Sequence, residues 1–380
     1  MKKILFVAAF ATLLAAGCQK TEIINQVPGD ALTFSTHMGK LTKASDAESA
    51  GEVNLYEQDF KVWAFKAYED AVNDDVLGDV YDNMTAIDVT STDGTSWGTE
   101  IDYYWPGVEK ELDFFAVSTG ATWAAPAVED GEGNVTTPAV DGITVDIDGE
   151  GVAAGSRKLT VNDYVVNHGN PNDDLMVAEF VRQHQGMNEK NVKLHFKHAL
   201  AKVQFKFYTT AKAEDAVSVN SLTVAGLKTT GSLEVVETTN GYTDNTGRVE
   251  VELGWTPTDV TAAFTDDKDA SITLTPEGTP AGAAEFATWL VLPQDITGKT
   301  VAINYTINGR TFDQVFALTR EAVTEVKDEQ ENVTTPGKEA FVKWDINQVI
   351  TYTINLTPNR ITFKPSVEEW APETPQTDVN

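Results

Sequence analysis

The stretch VAINYTINGRTF, residues 301–312, contains the signal that decides the fold. Apolar side chains at 301, 303, 305 and 307 alternate with smaller or polar ones, which is the period of two of a strand with one buried face. Asn308-Gly309 follows, and this pair favours a type I′ turn because that turn needs positive φ at both central residues. The stretch therefore predicts a β-hairpin.

The same alternation recurs along most of the chain. Runs of β-branched and aromatic residues occur at 32–34, 60–65, 112–117, 143–147, 203–207, 272–274, 301–305 and 350–356. Gly, Asn, Asp and Pro separate these runs, and helical periodicity is nearly absent, with 321–329 the best short candidate for a helix. Many short strands without a β-α-β rhythm predict an all-β fold of antiparallel sandwiches.

The N-terminus predicts export and acylation. Lys2 and Lys3 precede an uncharged apolar stretch, residues 4–16, that is short for a membrane span. Small residues then lead into Cys18, the only cysteine, as in a bacterial lipobox, although the usual leucine lies one position early. An ordinary signal peptide before a cysteine is the alternative. We expect residues 1–17 to be removed and palmitate-type chains on Cys18 to hold the protein on the outer membrane.

Size and charge limit the classes of protein and partner. A chain of 380 residues exceeds what one hydrophobic core usually serves, so we expect two domains. Its 28 Lys and Arg against 58 Asp and Glu give a net charge of -30. Such a surface repels phosphate backbones, so nucleic acid is not an expected partner. With Cys18 acylated, no disulfide can form.

The domain division follows a change in composition. A polar stretch at 182–190 precedes a new run of strands. We predict a signal peptide over residues 1–17, a lipidated tether over 18–30, an N-terminal β-sandwich domain over 31–188 and a C-terminal one over 189–380.

Several segments match one family in its own order along the chain. They are ALTF (31–34), LTKA (41–44), YYWP (103–106), LDFFA (112–116), DLMVA (174–178), LHFKHALAKV (194–203), LVLPQ (290–294) and the block from Trp344 to Trp370. The chain thereby resembles the fimbrillins, the type V pilins of Bacteroidetes. The resemblance covers nearly the whole mature chain, and residues 194–203 are its most specific stretch.

This resemblance implies a fold and a way of assembling. Fimbrillins are lipoproteins with two transthyretin-like, Greek-key β-sandwich domains. In stalk subunits a trypsin-like protease removes the lipid-bearing segment with the first strand, and the groove accepts a strand from the next subunit. Here the cut would fall between Lys43 and Ala44 and release the strand that contains Leu32 and Phe34. Other pilin subunits would be the partners, in an adhesive fimbrium on the outer membrane.

Lys43 departs from the family pattern, in which stalk subunits have arginine at this position. An arginine-specific protease would not cut after Lys43, whereas a broader trypsin-like protease would. An uncut subunit would keep its lipid and first strand, like the anchor subunits at the base of the pilus. Stalk and anchor roles therefore both stay open.

A candidate donor strand lies near the C-terminus. Ile350, Tyr352, Ile354 and Leu356 form an alternating apolar face of the kind that strand addition requires. Burying four such side chains would contribute roughly 6–12 kcal/mol before entropy costs. The segment could equally be an internal strand of its own domain, because sequence does not say which groove a strand fills.

No constellation of residues points to chemistry. His195 and His198 are three residues apart on a predicted strand and face opposite sides, so they cannot jointly bind a metal. The motif of a phosphate-binding loop does not occur, and residues 94–98 have the Gly-x-Ser-x-Gly spacing without the strand-turn-helix context that a nucleophile elbow requires. We therefore predict no enzyme activity, no metal and no cofactor. The alternative function is a surface lipoprotein that binds glycans or host proteins, with Trp123 and Trp255 as candidate contacts.

Overall fold

A computed structural model describes the chain over seventeen ranges. These are residues 30–38, 59–66, 86–91, 97–106, 111–120, 123, 128–129, 135–137, 142–148, 157–170, 173–186, 191–238, 247–322, 326–327, 333–335, 339–358 and 361–370. Within them the chain is nearly all β, as predicted, with one short 3-10 helix at Pro280–Gly282. No helix in these ranges has the length and apolar character to cross a bilayer.

The described residues form twenty-six strands. The first thirteen are β1 (Thr33–Met38), β2 (Phe60–Lys66), β3 (Ile87–Val89), β4 (Glu111–Ser118), β5 (Val128–Glu129), β6 (Val135–Thr137), β7 (Thr144–Asp148), β8 (Lys158–Val165), β9 (Met176–Ala178), β10 (Phe180–His184), β11 (Asn191–His198), β12 (Ala201–Tyr208) and β13 (Val217–Lys228). The others are β14 (Thr230–Glu237), β15 (Arg248–Val249), β16 (Val251–Pro257), β17 (Thr261–Thr273), β18 (Ala284–Val291), β19 (Gln294–Asp295), β20 (Thr300–Ile307), β21 (Arg310–Ala317), β22 (Val326–Lys327), β23 (Val333–Thr335), β24 (Lys343–Trp344), β25 (Gln348–Leu356) and β26 (Ile361–Glu369).

The predicted hairpin at 301–312 is confirmed, and the short helix at 321–329 is wrong. β20 and β21 pair antiparallel through Asn308 and Gly309, whose φ angles are 50° and 76°. These values match the type I′ turn that Asn-Gly favours. Val326–Lys327 instead forms β22, which pairs with β23. Cross-strand pairing of β-branched residues there overrides the helical preference of the neighbouring Glu and Lys.

The largest sheet closes on itself. Its pairing runs β1-β11-β9-β4-β2-β3, and β10, paired with β4, also pairs with β15. Two bridges then join its ends: Thr90 to Gly98 beside β3, and Trp97 to Phe34 in β1. The sheet encloses a core of buried apolar side chains from every strand of this circuit: Leu32, Phe34, Phe60, Val62, Ala64, Ile87, Val89, Trp97, Trp105, Leu112, Phe114, Ala116, Met176, Ala178, Val181, Val192, Leu194 and Phe196.

Part of the outer face of this sheet, around β2 and β4, is buried as well, against a four-stranded sheet in the order β16-β14-β8-β7. Trp63, Phe65 and Phe115 belong to the same cluster as Leu159 and Leu233 of that second sheet. Alternate residues of β2 thus enter different cores, which explains why the run at 60–65 is apolar at nearly every position.

The C-terminal part is a second sandwich. One sheet has the order β18-β12-β25-β26 and the other β17-β13-β20-β21. Buried residues of both sheets, including Val203, Leu222 and Ile303, lie in one hydrophobic cluster. β12 pairs antiparallel with β18 but parallel with β25.

Strand pairing crosses the predicted division at residues 188 and 189 in two sheets. β11 pairs with β1 and β9, β15 pairs with β10, and β14 and β16 join the sheet of β7 and β8. The chain thus leaves the C-terminal sandwich after β13 and returns to it with β17. The division into two domains at this point stays a prediction.

Candidate functional site

The first strand lies in a slot alongside β11. Its six residues pair parallel with β11, from Thr33 opposite Asn191 to Met38 opposite Phe196. On its other side, isolated bridges hold it instead of a strand: Phe34 to Trp97 and Ala31 to Tyr104. Leu32 donates its N–H to Tyr103 at 2.7 Å. One long side of β1 is therefore only loosely paired among the described residues.

The buried face of β1 fills the enclosed core only in part. Leu32 and Phe34, the residues predicted to leave with the first strand, are 7% and 5% exposed. Phe34 packs edge to face on Phe114, with ring centroids 6.3 Å apart. Thr36, on the same face, is only half-buried, and its partner Leu194 is fully buried. A polar hydroxyl thus lies where an apolar side chain would bury more surface.

The candidate donor strand is an inner strand of its own sheet in this single chain. Ile350, Tyr352, Ile354 and Leu356 are all fully buried in β25, between β12 and β26. The hydroxyl of Tyr352 donates to the carbonyl of Leu318 at 3.1 Å. Burial raises the pKa of Tyr352 well above its ordinary value, so the phenol stays protonated. The donor role of this segment stays a prediction.

β1 and β25 occupy successive places along one nearly continuous run of chain. Only Ala199 and Leu200 separate β11 from β12, and Leu200 accepts a hydrogen bond from the N–H of Asn347 at 3.0 Å. β1 is parallel to β11 and β25 is parallel to β12. A strand in the slot of β1 therefore runs parallel to its neighbour, as β25 does in its own sheet.

The residues predicted to be acylated and cut lie outside the described ranges. These are Cys18, Lys43 and Ala44. In sequence, Lys43 follows Met38, the last residue of β1, after a short stretch that contains Gly39 and Lys40.

The two histidines singled out in the sequence both lie on β11, the strand that lines this slot. His198, the last residue of β11, is buried, and its Nδ1 lies 2.6 Å from Oδ2 of Asp174. His195 is half-buried near Arg248, with 3.4 Å between Nδ1 and Nη1. No group of three His, Cys, Asp or Glu side chains in the described part of the chain could hold a metal ion.

The two tryptophans proposed as ligand contacts pack against the protein. Trp255 donates its indole N–H to the carbonyl of Ala199 at 2.6 Å and packs on Tyr164. Trp123 lies 6.2 Å from the ring of Trp63, and Nζ of Lys61 lies 5.3 Å from its centroid. Neither arrangement favours the glycan-binding alternative over a packing role.

Sequence reasoning missed a buried ionic network beside the closed sheet. Arg157 donates from Nε and Nη2 to Glu237, at 2.9 Å each, and from Nη1 to Asp113. Asp113 also accepts from Nε of Arg182 at 2.7 Å. These residues lie far apart in sequence and their types are common on surfaces, so no local pattern could have revealed the network.

Comparison with known proteins identifies a protein family that matches this chain. The family model described as fimbrillin-like matches residues 42–370. Among solved structures, the fold is similar to a fimbrial protein from Bacteroides vulgatus, with 15% identity, a TM-score of 0.48, and 82% of this chain and 93% of that chain covered. A fimbrial assembly protein from Parabacteroides distasonis has 11% identity and a TM-score of 0.32, with 83% and 93% covered.

The tip fimbrial protein Mfa3 from Porphyromonas gingivalis has 11% identity and a TM-score of 0.30, with 83% of this chain and 96% of that chain covered. No curated protein sequence matches the chain. The family match spans most of the sequence, including β2 to β26. The chain therefore belongs to the fimbrillin-like family, and it is a pilus-related subunit of the cell surface.

Proposed function

We propose that this chain is a structural subunit of a type V pilus that supports adhesion and has no catalytic activity of its own. In this proposal it is exported as a lipoprotein, held on the outer membrane through acylated Cys18, and assembled with other pilin subunits by donor-strand exchange. The observation that carries the proposal is the position of β1, a short N-terminal strand whose slot lies against a fully apolar core.

Loss of β1 would open a groove suited to a new strand. Opposite its inward-facing positions lie Val192, Leu194 and Phe196, which are now fully buried. The N–H and C=O groups of β11 on this side would also lose their partners. Because β1 is N-terminal, it can leave without another segment passing through the sheet. A protease that cuts after Lys43 would allow this departure.

The incoming strand must bring more apolar surface than β1 does. In sequence, the alternate positions of β1 on this face are Leu32, Phe34, Thr36 and Met38, of which Thr36 is polar, whereas β25 presents four large apolar side chains in alternation. Replacing a threonine by an isoleucine or leucine at a buried position contributes about 1–2 kcal/mol. The exchange is then favourable on the acceptor side, and it needs the C-terminal hairpin of the donor to leave β12.

Processing decides which position in the pilus the subunit takes. A cut after Lys43 removes Cys18 together with β1, so the subunit is released from the membrane and polymerises as a stalk subunit. An uncut chain keeps both and can only terminate the polymer at the membrane, as an anchor subunit. The same fold serves both roles, which differ in whether the peptide bond after Lys43 is cut.

The test compares Lys43→Ala with Lys40→Ala in cells that produce the full chain. We expect Lys43→Ala to keep β1 and to lose the ladder of boiling-sensitive oligomers, whereas Lys40→Ala should be processed normally to an N-terminus at Ala44. If both variants still form the ladder with residues 30–38 intact, strand exchange at the β1 slot is excluded. If only Lys40→Ala blocks processing, the cleavage site is wrong but the exchange stands.

A further inference from the structure

A buried polar cluster lies where the chain passes from β11 to β12, and Trp370 covers it. His198 and Lys202 are each 4% exposed, Asp174 is 2% exposed and Trp370 is 9% exposed. The indole of Trp370 is stacked on the imidazole of His198, with centroids 3.7 Å apart and planes 4° from parallel. Nζ of Lys202 lies 5.7 Å from the same indole ring. The residues at this junction thus come from three separate parts of the chain.

Trp370 is the point at which the C-terminal strand is fastened. Within the described residues, β26 pairs only with β25, and none of its described side chains is fully buried. Val367, which faces the same side as the buried residues of β25, remains 41% exposed. Immediately after β26, Trp370 is buried and donates its N–H to the carbonyl of Asn347 at 2.7 Å. At the open end of the hairpin, Trp370 is therefore the buried side chain that fastens β26, whereas β25 is also held by its pairing with β12.

The anchor reaches outside its own sheet. β26 belongs to the sheet of β12, but His198 belongs to β11 and so to the closed sheet that also contains β1. The stack joins the end of the C-terminal hairpin to the end of the β1 slot. Loss of the stack would therefore free the end of the hairpin beside β11, the strand that also lines the β1 slot.

Opening the cluster would let water reach a buried oxygen that now has no hydrogen-bond partner among the described atoms. Asp174 accepts from His198 through Oδ2, but its buried Oδ1 has no hydrogen-bond partner among the described atoms. A buried oxygen without a partner loses its hydration free energy, which water restores when the site opens. Departure of Trp370 would thus cost stacking and burial but recover part of that loss.

We propose that Trp370 is a latch that keeps the hairpin of β25 and β26 on its own subunit until assembly. This inference rests on the proposed function, because it assumes that the hairpin supplies the donor strand. With the latch closed, β25 stays between β12 and β26. With the latch open, the hairpin frays from the end at Gln348 and Glu369, and β25 becomes free to enter the slot of another copy.

Hydrogen–deuterium exchange of the isolated full chain tests the latch without assembly. Trp370→Ala should speed exchange of the amides at 348–369 by roughly tenfold or more, because a buried aromatic anchor is lost. Exchange in β13 and β20, the middle strands of the opposite sheet, should stay unchanged. Val367→Ala, an exposed position of β26, is the matched control and should leave the hairpin unchanged. Unchanged exchange at 348–369 in Trp370→Ala, or an equal rise in every strand, would overturn the proposal.

A second variant guards against misfolding of the first. His198→Ala removes the other half of the stack and should reproduce the faster exchange of the hairpin. Because both changes break one contact, the double variant should add little to either single variant. Fully additive effects would show that the two residues act separately, which contradicts the latch.

An assembly readout separates the two proposals. After proteolytic removal of β1, Trp370→Ala should form oligomers several-fold faster than the unaltered chain. Faster exchange of the hairpin together with faster assembly supports the latch. Faster exchange with no oligomers in either protein would show that Trp370 fastens the hairpin but has no role in assembly. That result would also count against strand exchange itself.

Discussion

Arg157 shows at the scale of single residues how this acidic chain uses buried charge. It is 1% exposed and bridges Asp113 on β4 and Glu237 at the end of β14, which belong to the two facing sheets. Arg182 pairs with the second oxygen of Asp113, so two positive and two negative groups balance. The network holds the two sheets in one relative position.

Breaking this network should be costly. Arg157→Met leaves Asp113 and Glu237 buried with fewer partners, and we expect a loss of about 3–5 kcal/mol in the free energy of unfolding. The adjacent Lys158 pairs with Glu234 on the surface, so Lys158→Met should cost less than about 1 kcal/mol. Urea denaturation followed by tryptophan fluorescence measures both, and equal losses in the two variants would contradict this account.

His168 should make stability depend on pH. Its ring is stacked on Phe264, with 3.8 Å between centroids, and burial lowers its pKa from 6.5, an effect that Asp266 partly opposes. A histidine with a lowered folded-state pKa contributes stability above pH 6.5, and this contribution is lost as the pH falls through the folded-state pKa. His168→Phe removes the titration and keeps the stack.

Thermal unfolding at pH 7.5 and pH 5 measures this effect. We expect the unaltered chain to lose more in Tm on acidification than His168→Phe does. Since every other titrating group is shared by the two proteins, identical losses would show that the environment of His168 does not disfavour its charged form.

At the scale of secondary-structure elements, β1 is a strand with a polar residue on the face that packs against the enclosed core. Thr36 and Ser35 are both half-buried neighbours, but only Thr36 faces the enclosed core, opposite Leu194. Thr36→Val should raise the free energy of unfolding by about 1 kcal/mol, because a methyl group replaces a hydroxyl in an apolar setting.

Ser35→Val is the matched control, since Ser35 lies opposite exposed Lys193 on the other face. Its effect should stay within about 0.5 kcal/mol. If β1 is the strand that exchange displaces, Thr36→Val should also slow oligomer formation by two- to fivefold, whereas Ser35→Val should not. A larger effect of Ser35→Val would place the core on the opposite face of β1.

Strand content could be predicted from sequence because alternation and turn residues are local. The hairpin through Asn308 and Gly309 and the two-sided burial of β2 both follow from short stretches. The parallel pairing of β1 with β11 joins segments more than 150 residues apart, and no local pattern fixes such a register. The same holds for Arg157 and for the stack of Trp370 on His198, whose partners meet only after the sheets have formed.

At the scale of the whole molecule, one run of chain links the two sandwiches. β11 and β12 are consecutive, and they receive β1 and β25 as successive parallel neighbours. A strand that replaces β1 would lie in line with β25 of the acceptor, so the joint between subunits would continue the sheets already present. If subunits assemble in this way, the net charge of -30 would make free subunits repel one another until such a joint forms.

The state of the N-terminus on the cell surface tests this account most directly. Mass spectrometry of the native protein, beside an unboiled gel, gives the first residue and the assembly state together. Strand exchange in a stalk predicts an N-terminus at Ala44 and a ladder of stable oligomers, and an anchor subunit predicts acylated Cys18 with a pilin partner bound. A strictly monomeric protein with residues 19–43 intact and no pilin partner would contradict the central claim.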